Sequence, residues 1–292
     1  MFQFFANIFG YLLNFINNFV GNYGLAIILF TVLIKIIMLP LSIKQQRTMK
    51  KSTELNEKIK VLQFKYKNDP EKLNREMMDL YKKENISPFS GCLSTIAQFI
   101  LLISIFYMVR CPLTYMEKIN NDQINTYVQQ LKDGGITVNQ AYSEIDIIRE
   151  LDYLKEKMPE DEGLNKINLN MNFCGLDLSK IPQQNLNDWT VYIIPALYII
   201  STFISMKITT SMQKKSKKND GVIDITEKDS KEEEKNEMED MMEQSNKMMS
   251  WMMPIMSVSI SLVAPLGLAL YWLVNNILMI GERLVLNKII KD

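Results

Sequence analysis

One cation lies inside the first long apolar stretch of the chain. Lys35 is the first charged side chain in the sequence, and it stands within the apolar stretch from Leu25 to Ile43. A lipid-facing lysine costs about 2.5 to 3.5 kcal/mol on an insertion scale, so an ammonium group at this depth is expected to serve the binding of a polar or anionic group. The simpler alternative is that the long stem of Lys35 snorkels toward the membrane surface.

Polar residues with helical spacing occur in four apolar stretches. In chain order they are Thr31 and Ser42 beside Lys35; Ser90, Ser94 and Gln98; Ser201, Thr202, Ser205 and Thr209; and Asn275 and Asn276. In the orientation derived below, every set falls in the half of its stretch nearer the cytoplasm. Because polar groups avoid lipid, these faces are predicted to meet around a hydrated groove with Lys35 as its positive charge. Serine and threonine are also ordinary packing residues between membrane helices, which is the alternative reading.

The composition excludes several kinds of chemistry. The chain has no histidine, so imidazole catalysis and histidine metal ligation are ruled out, and its three cysteines lack the CxxC spacing of a zinc site. We therefore expect no catalytic residue, no metal, no cofactor and no enzymatic activity. Cys111 and Cys174 are both expected outside the membrane, and a disulfide between them is left open because it requires an oxidising compartment.

The elements that must position these residues follow from the hydropathy pattern. Net charge is zero, but apolar and charged residues are segregated along the chain, as in a protein that crosses the membrane several times. We predict five spans, at residues 21–43, 88–109, 190–207, 248–264 and 266–283. The last two are short because Pro265 and Gly267 form a turn signal in the middle of a longer apolar run.

The basic residues predict the orientation. Residues 44–84 carry 12 Lys and Arg, whereas residues 110–189 carry 8 against 13 Asp and Glu. Cytoplasmic loops are rich in Lys and Arg, so the N-terminus is predicted outside the membrane and the C-terminus in the cytoplasm. The predicted fold is an all-α membrane protein with five transmembrane helices and a cytoplasmic helical hairpin between the first and second spans.

The remaining segments are predicted from local signals. Residues 1–20 read as an uncharged amphipathic helix in the membrane interface, or as an uncleaved signal-anchor. Residues 44–87 form the hairpin, whose second arm begins at Asp69 and Pro70 and places Leu73, Met77 and Leu80 on one face. Residues 110–189 form an outer loop domain with helices at 121–133 and 139–158. Residues 208–247 are a charged linker, and 284–292 a short cytoplasmic tail.

Four sequence blocks carry a resemblance to a known family. They are Lys35 followed by Leu39-Pro40-Leu41; the hairpin arm DPEKLNREMMDLYKKENISP; the following SPFSGCLSTIAQ; and MMPIMSVSISLVAPLGLALYWLVNN near the C-terminus. In these blocks the chain resembles the YidC membrane protein insertases of the YidC/Oxa/Alb type, in a form similar to the Gram-positive one. Lys35 stands where that family usually has arginine; lysine keeps the charge but lacks the planar five-donor fork.

The resemblance implies an insertase of the bacterial plasma membrane that accepts a nascent membrane protein in the groove and releases its spans into lipid. Lys35, Gln98 and Trp272 would lie in the groove, and Met77 and Met78 of the hairpin would receive the substrate first. The ribosome and the Sec translocon are further expected partners, with no nucleic-acid recognition beyond ribosome contact. Two alternatives remain open: a small ion or solute transporter that uses Lys35 as its intramembrane binding charge, and a membrane scaffold that only recruits partners.

Overall fold

The computed structural model describes residues 2–66, 69–84, 90–219 and 258–289, which are mostly helical. The helices are α1 (Phe2–Val20), α2 (Tyr23–Lys65), α3 (Pro70–Lys83), α4 (Ser90–Arg110), α5 (Pro112–Tyr115), α6 (Asn121–Asp133), α7 (Ser143–Arg149), α8 (Leu151–Lys157), α9 (Glu162–Lys166), α10 (Ile193–Asn219) and α11 (Leu266–Ile289). Two short strands, β1 (Asn172–Phe173) and β2 (Leu176–Asp177), pair antiparallel. Short 3-10 turns lie at Pro182–Gln184 and Trp189–Tyr192.

Three of the described helices are long and apolar enough to cross a membrane. These candidate spans are Tyr23–Thr48, Trp189–Thr209 and Leu266–Ile289. The apolar stretch found in α4, Phe99–Arg110, is shorter than these candidate spans. The predicted fourth span, 248–264, lies mostly outside the described residues. An all-α membrane protein therefore fits, while the count of five spans stays a prediction.

Three of the long helices continue beyond the predicted ends of their spans. The helix α2 runs without a break from the first span into the first arm of the predicted hairpin, with Pro40 inside it. Similarly, α10 and α11 extend past residues 207 and 283. Hydropathy marks where the apolar part ends, but a helix ends only where its backbone hydrogen bonds end, and residues 45–65 contain no glycine or proline.

Local signals for helix ends are confirmed. The side chain of Asp69 accepts a hydrogen bond from the backbone N–H of Lys72, and Pro70 occupies the first turn of α3. The first predicted outer helix matches α6, which ends before Gly134. The second, predicted at 139–158, divides at Glu150 into α7 and α8. The break at Pro265 is also present, because α11 begins at Leu266.

We call residues 111–192 the outer domain, after the position outside the membrane that the sequence predicts for them. This domain joins the ends of two long helices. The backbone N–H of Tyr23 donates to the carbonyl of Asn170 at 3.0 Å, and the N–H groups of Leu266 and Gly267 donate to the carbonyls of Lys180 and Leu178, both at 2.9 Å. Helix N-termini leave N–H groups without intrahelical partners, and lipid offers them no acceptor. The outer domain therefore satisfies the first turns of α2 and α11 and holds these helices parallel.

The N-terminal helix α1 packs between the long helices and the outer domain. It contacts α4, α2 and α5 and buries Ala6, Gly10, Leu13 and Asn17. Two of its asparagines are turned into the protein, because the amides of Asn14 and Asn17 donate to the carbonyls of Met116 and Asn168. Asn7 and Asn18 are exposed. The opposite face exposes large aromatic side chains, which are Phe4, Tyr11, Phe15 and Phe19.

Candidate functional site

Lys35 lies deep in the first candidate span. Counted from Tyr23, it is about 18 Å along the helix axis at 1.5 Å per residue. The Nζ atom of Lys35 lies 3.3 Å from Oε2 of Glu282 on α11, and the side chains are 20% and 13% exposed respectively. Lys35 therefore points at another helix of the bundle, where it has an ionic partner.

Glu282 reaches Lys35 because α2 and α11 run in the same direction from the outer domain. Glu282 is about 24 Å along α11 from Leu266, so it lies about 6 Å farther from the outer domain than Lys35. The flexible four-carbon stem of lysine spans this difference. Sequence reasoning missed Glu282, because an acid near the end of an apolar stretch looks like an ordinary boundary residue.

A second set of polar contacts joins α10 to α11. The side-chain amide of Asn276, 6% exposed, donates to Oγ of Ser201 at 2.9 Å and to Oγ1 of Thr202 at 3.2 Å. Seven residues farther along both helices, the guanidinium of Arg283 donates to Oγ1 of Thr209. Residues seven apart lie two turns apart on one helix face. The sequence therefore indicated that Thr202 and Thr209 share a face of α10, and that Asn276 and Arg283 share a face of α11.

Several of the predicted groove residues are buried or half-buried. Thr31 is only 2% exposed, and its hydroxyl donates to the carbonyl of Ile27 in its own helix. Ser205 is buried, and Ser42 and Asn275 are half-buried. Thus Asn276, and not its neighbour Asn275, makes the described contact with α10.

The remaining predicted groove residues lie on α11 and α4. Trp272 is half-buried, with its ring centroid 6.2 Å from that of Tyr198 on α10. Ser94 and Gln98 belong to α4, but their side chains lie outside the described part of the structure.

The predicted hairpin face lies on α3, which contacts α2. Leu73, Met77 and Leu80 are half-buried, whereas Met78 is 54% exposed. The methionine-rich segment from 241 to 253 is outside the described residues.

A buried carboxyl group joins two helices of the outer domain, α7 and α5. Glu144 of α7 accepts hydrogen bonds from the backbone N–H and the hydroxyl of Thr114, at 2.9 and 2.6 Å, in the first turn of α5. The residue before α5, Cys111, forms no side-chain cap there, so Glu144 supplies the acceptor from another element. Burial raises the pKa of Glu144, and it raises the pKa of Asp146 and Glu117 in the same domain.

The described cysteines are free thiols, and no described residues form a metal site. Burial raises the pKa of the Cys111 thiol to about 12, whereas Cys174 is exposed. Both are unpaired, so the disulfide left open by the sequence is not formed here. Within the described ranges, no group of three or more His, Cys, Asp or Glu side chains could hold a metal ion.

Known proteins similar to this chain are insertases by name. A protein from Caldanaerobacter subterraneus subsp. tengcongensis named membrane protein insertase YidC is 48% identical over 101 residues, which are 35% of this chain and 49% of that protein. Proteins of the same name from Francisella tularensis subsp. novicida and subsp. tularensis are 46% identical over 109 residues, 37% of this chain and 20% of each relative. The aligned region thus spans about half of the first relative and a fifth of the others.

The family assignment covers far more of the chain than these alignments. The family model described as 60Kd inner membrane protein matches residues 15–292. This range includes α2, α10 and α11, the helices that carry Lys35, Thr209, Asn276 and Glu282. The chain therefore belongs to the 60Kd inner membrane protein family, the YidC/Oxa family of multi-pass membrane proteins.

Proposed function

We propose that this protein is a membrane protein insertase and chaperone. It accepts nascent membrane proteins in a hydrophilic groove open to the cytoplasm and the inner leaflet, and it releases their spans sideways into lipid. Two observations support this: the aligned relatives are named insertases, and polar side chains of α2, α10 and α11 face one another within the helix bundle.

The position of Lys35 is the observation that carries the proposal. An ammonium group about 18 Å below the outer end of a span costs free energy unless it meets a polar partner or water. A substrate with a short outer tail would place that polar tail beside Lys35, halfway across the membrane. The proposed groove residues are Lys35, Thr31, Ser42, Ser94, Gln98, Ser205, Trp272 and Asn275.

The hairpin and the membrane complete the proposed cycle. The face formed by Leu73, Met77, Met78 and Leu80 meets the substrate first, because methionine side chains adapt to varied apolar partners. The apolar part of the substrate then moves into lipid, and no covalent bond is made or broken. The proposal places the N-terminus outside and the C-terminus in the cytoplasm, with the ribosome and the Sec translocon as further partners.

Replacement of Lys35 tests the proposal. In cells depleted of their own insertase, Lys35→Arg should support insertion of a small single-span protein with a short outer tail. Lys35→Ala and Lys35→Leu should reduce that insertion roughly tenfold or more, as expected for the loss of a charge-assisted contact. Insertion is measured by protease protection of the outer tail. Lys44→Ala is the matched control, since Lys44 is exposed on the same helix.

Two results would count against the proposal. Equal insertion by the parent, Lys35→Ala and Lys35→Leu would remove the charge from the mechanism. Solute flux into liposomes that contain only this protein, lost in Lys35→Ala, would favour the transporter instead.

A further inference from the structure

Lys35 already has an anionic partner in the described structure. The 3.3 Å contact between Lys35 and Glu282 joins α2 to α11, and the two residues are 247 positions apart in the sequence. Glu282 is the only acidic residue in α11, and α2 has none from Tyr23 to Ile43. The carboxylate of Glu282 therefore occupies the position beside Lys35 that the polar tail of a substrate takes in the proposed function.

The pair is accessible enough for its partners to exchange. Its side chains are 20% and 13% exposed, so neither charge is sealed in the core. Arg283, the next residue on α11, is half-buried and donates to Thr209. The three charges sum to one positive charge, so the cluster keeps a net attraction for anions when Glu282 is displaced from Lys35.

We propose that Glu282 is the resident counter-ion of Lys35 and sets the charge preference of the groove. A carboxylate on the incoming segment takes the place of Glu282 at Lys35, and Glu282 returns when the segment leaves. This inference rests on the insertase function proposed above and adds a specificity-determining residue to it.

The incoming segment and Glu282 compete for Lys35. Breaking a partly buried ion pair leaves both charges unpaired unless the newcomer replaces the lost partner. An acidic segment replaces it, a neutral polar segment does so poorly, and a basic segment is attracted to Glu282 itself. Without the carboxylate, Lys35 is free for acidic and neutral segments, while a basic segment loses its attraction.

The test uses one single-span substrate with paired aspartates, asparagines or lysines in its short outer tail. Insertion of each tail is measured by protease protection and divided by the parent value for the same tail, which cancels the effect of the membrane potential on that tail. Glu282→Gln should raise the ratio of acidic-tail to basic-tail insertion roughly tenfold. Glu282→Asp keeps the charge and should keep the parental ratio.

A double variant keeps the test decisive if the single variant does not fold. Lys35→Gln with Glu282→Gln removes both charges of the pair, and it is compared with Lys35→Gln, which keeps Glu282 and its attraction for basic tails. The ratio of acidic-tail to basic-tail insertion should be higher in the double variant than in Lys35→Gln. An unchanged ratio in Glu282→Gln, or equal ratios in Lys35→Gln and the double variant, would overturn the role of Glu282. If Lys35→Ala still reduced insertion in the same cells, only the role of Glu282 would fall and the proposed function would stand. Insertion independent of Lys35 would remove both.

Discussion

Two ionisable side chains in this protein, Lys35 and Glu144, have partners that lie far away in the sequence. Lys35 meets Glu282 between two long helices, and Glu144 accepts two hydrogen bonds from Thr114 at the start of α5. Leaving a buried donor or acceptor unpaired costs about 1 to 3 kcal/mol, and more for a charged group. Each of these contacts therefore helps to fix one element against another.

The buried carboxyl groups predict how stability depends on pH. Burial raises the pKa of Glu117, Glu144 and Asp146, so the folded state binds protons at a pH where the unfolded chain has released them. These groups should therefore stabilise the fold more as the pH falls below neutral, toward their unfolded values of about 4. The measurement is the thermal unfolding temperature of the detergent-purified protein across this range.

A fourth carboxyl group, with a lowered pKa, limits this trend at lower pH. The hydrogen bond from Lys180 holds the pKa of Asp188 at about 2, so the stability that this pair contributes is present above about pH 4 and is lost as the pH falls toward 2. We therefore expect the thermal unfolding temperature to reach its maximum at a pH below neutral. Glu144→Gln, which mimics the protonated form, should weaken the rise. A steady fall in unfolding temperature on acidification from neutral pH would contradict this expectation.

At the scale of elements, close packing depends on one small residue in α1. A Cβ atom added at Gly10 would lie 2.0 Å from the carbonyl oxygen of Tyr115 in α5, a distance that requires the backbones to move apart. The N-terminal helix can approach the outer domain this closely only with glycine at this position.

Gly10→Ala should therefore destabilise the protein by about 1 to 3 kcal/mol, the usual cost of overpacking. The free energy of unfolding in mixed micelles is the measurement. Gly281→Ala is the matched control, since nothing lies within 4 Å of its added Cβ atom. There the same substitution should be neutral or stabilising by up to about 1 kcal/mol. Equal effects at the two positions would show that the contact with Tyr115 does not matter.

At the scale of the whole molecule, the outer domain holds the helix bundle together at one end. The carbonyls of Asn170, Leu178 and Lys180 accept hydrogen bonds from the first residues of α2 and α11. This arrangement sets the axial positions of the two helices relative to each other. It thereby determines that Lys35 and Glu282 come within reach.

The proposed orientation places this domain outside the cell, and Cys174 reports on it. Cys174 is exposed, whereas Cys111 is partly buried and has a raised thiol pKa, which disfavours its reactive thiolate. A membrane-impermeant maleimide should label the protein in intact cells, and Cys174→Ser should remove most of that label. Labelling of Cys174 only after the cells are permeabilised would place the domain in the cytoplasm.

Much of the fold could be predicted because its signals are local. The Asp69 cap, the Pro70 start of α3 and the break at Pro265 each depend on neighbouring residues alone. The apolar stretches at residues 21–43, 190–207 and 266–283 correspond to the three candidate spans for the same reason. The predicted ends of the spans were less accurate where a helix continues past its apolar part, as α2 does.

Hydropathy, charge and spacing along the chain were enough to predict that apolar helices carry a lysine and a set of polar residues at a similar depth. The three-dimensional structure was needed to find that Glu282 pairs with Lys35, that Asn276 rather than Asn275 contacts α10, and that Thr31 is enclosed. These outcomes depend on how each helix is rotated and shifted along its axis relative to its neighbours. That placement is set by packing and by hydrogen bonds between segments far apart in the chain.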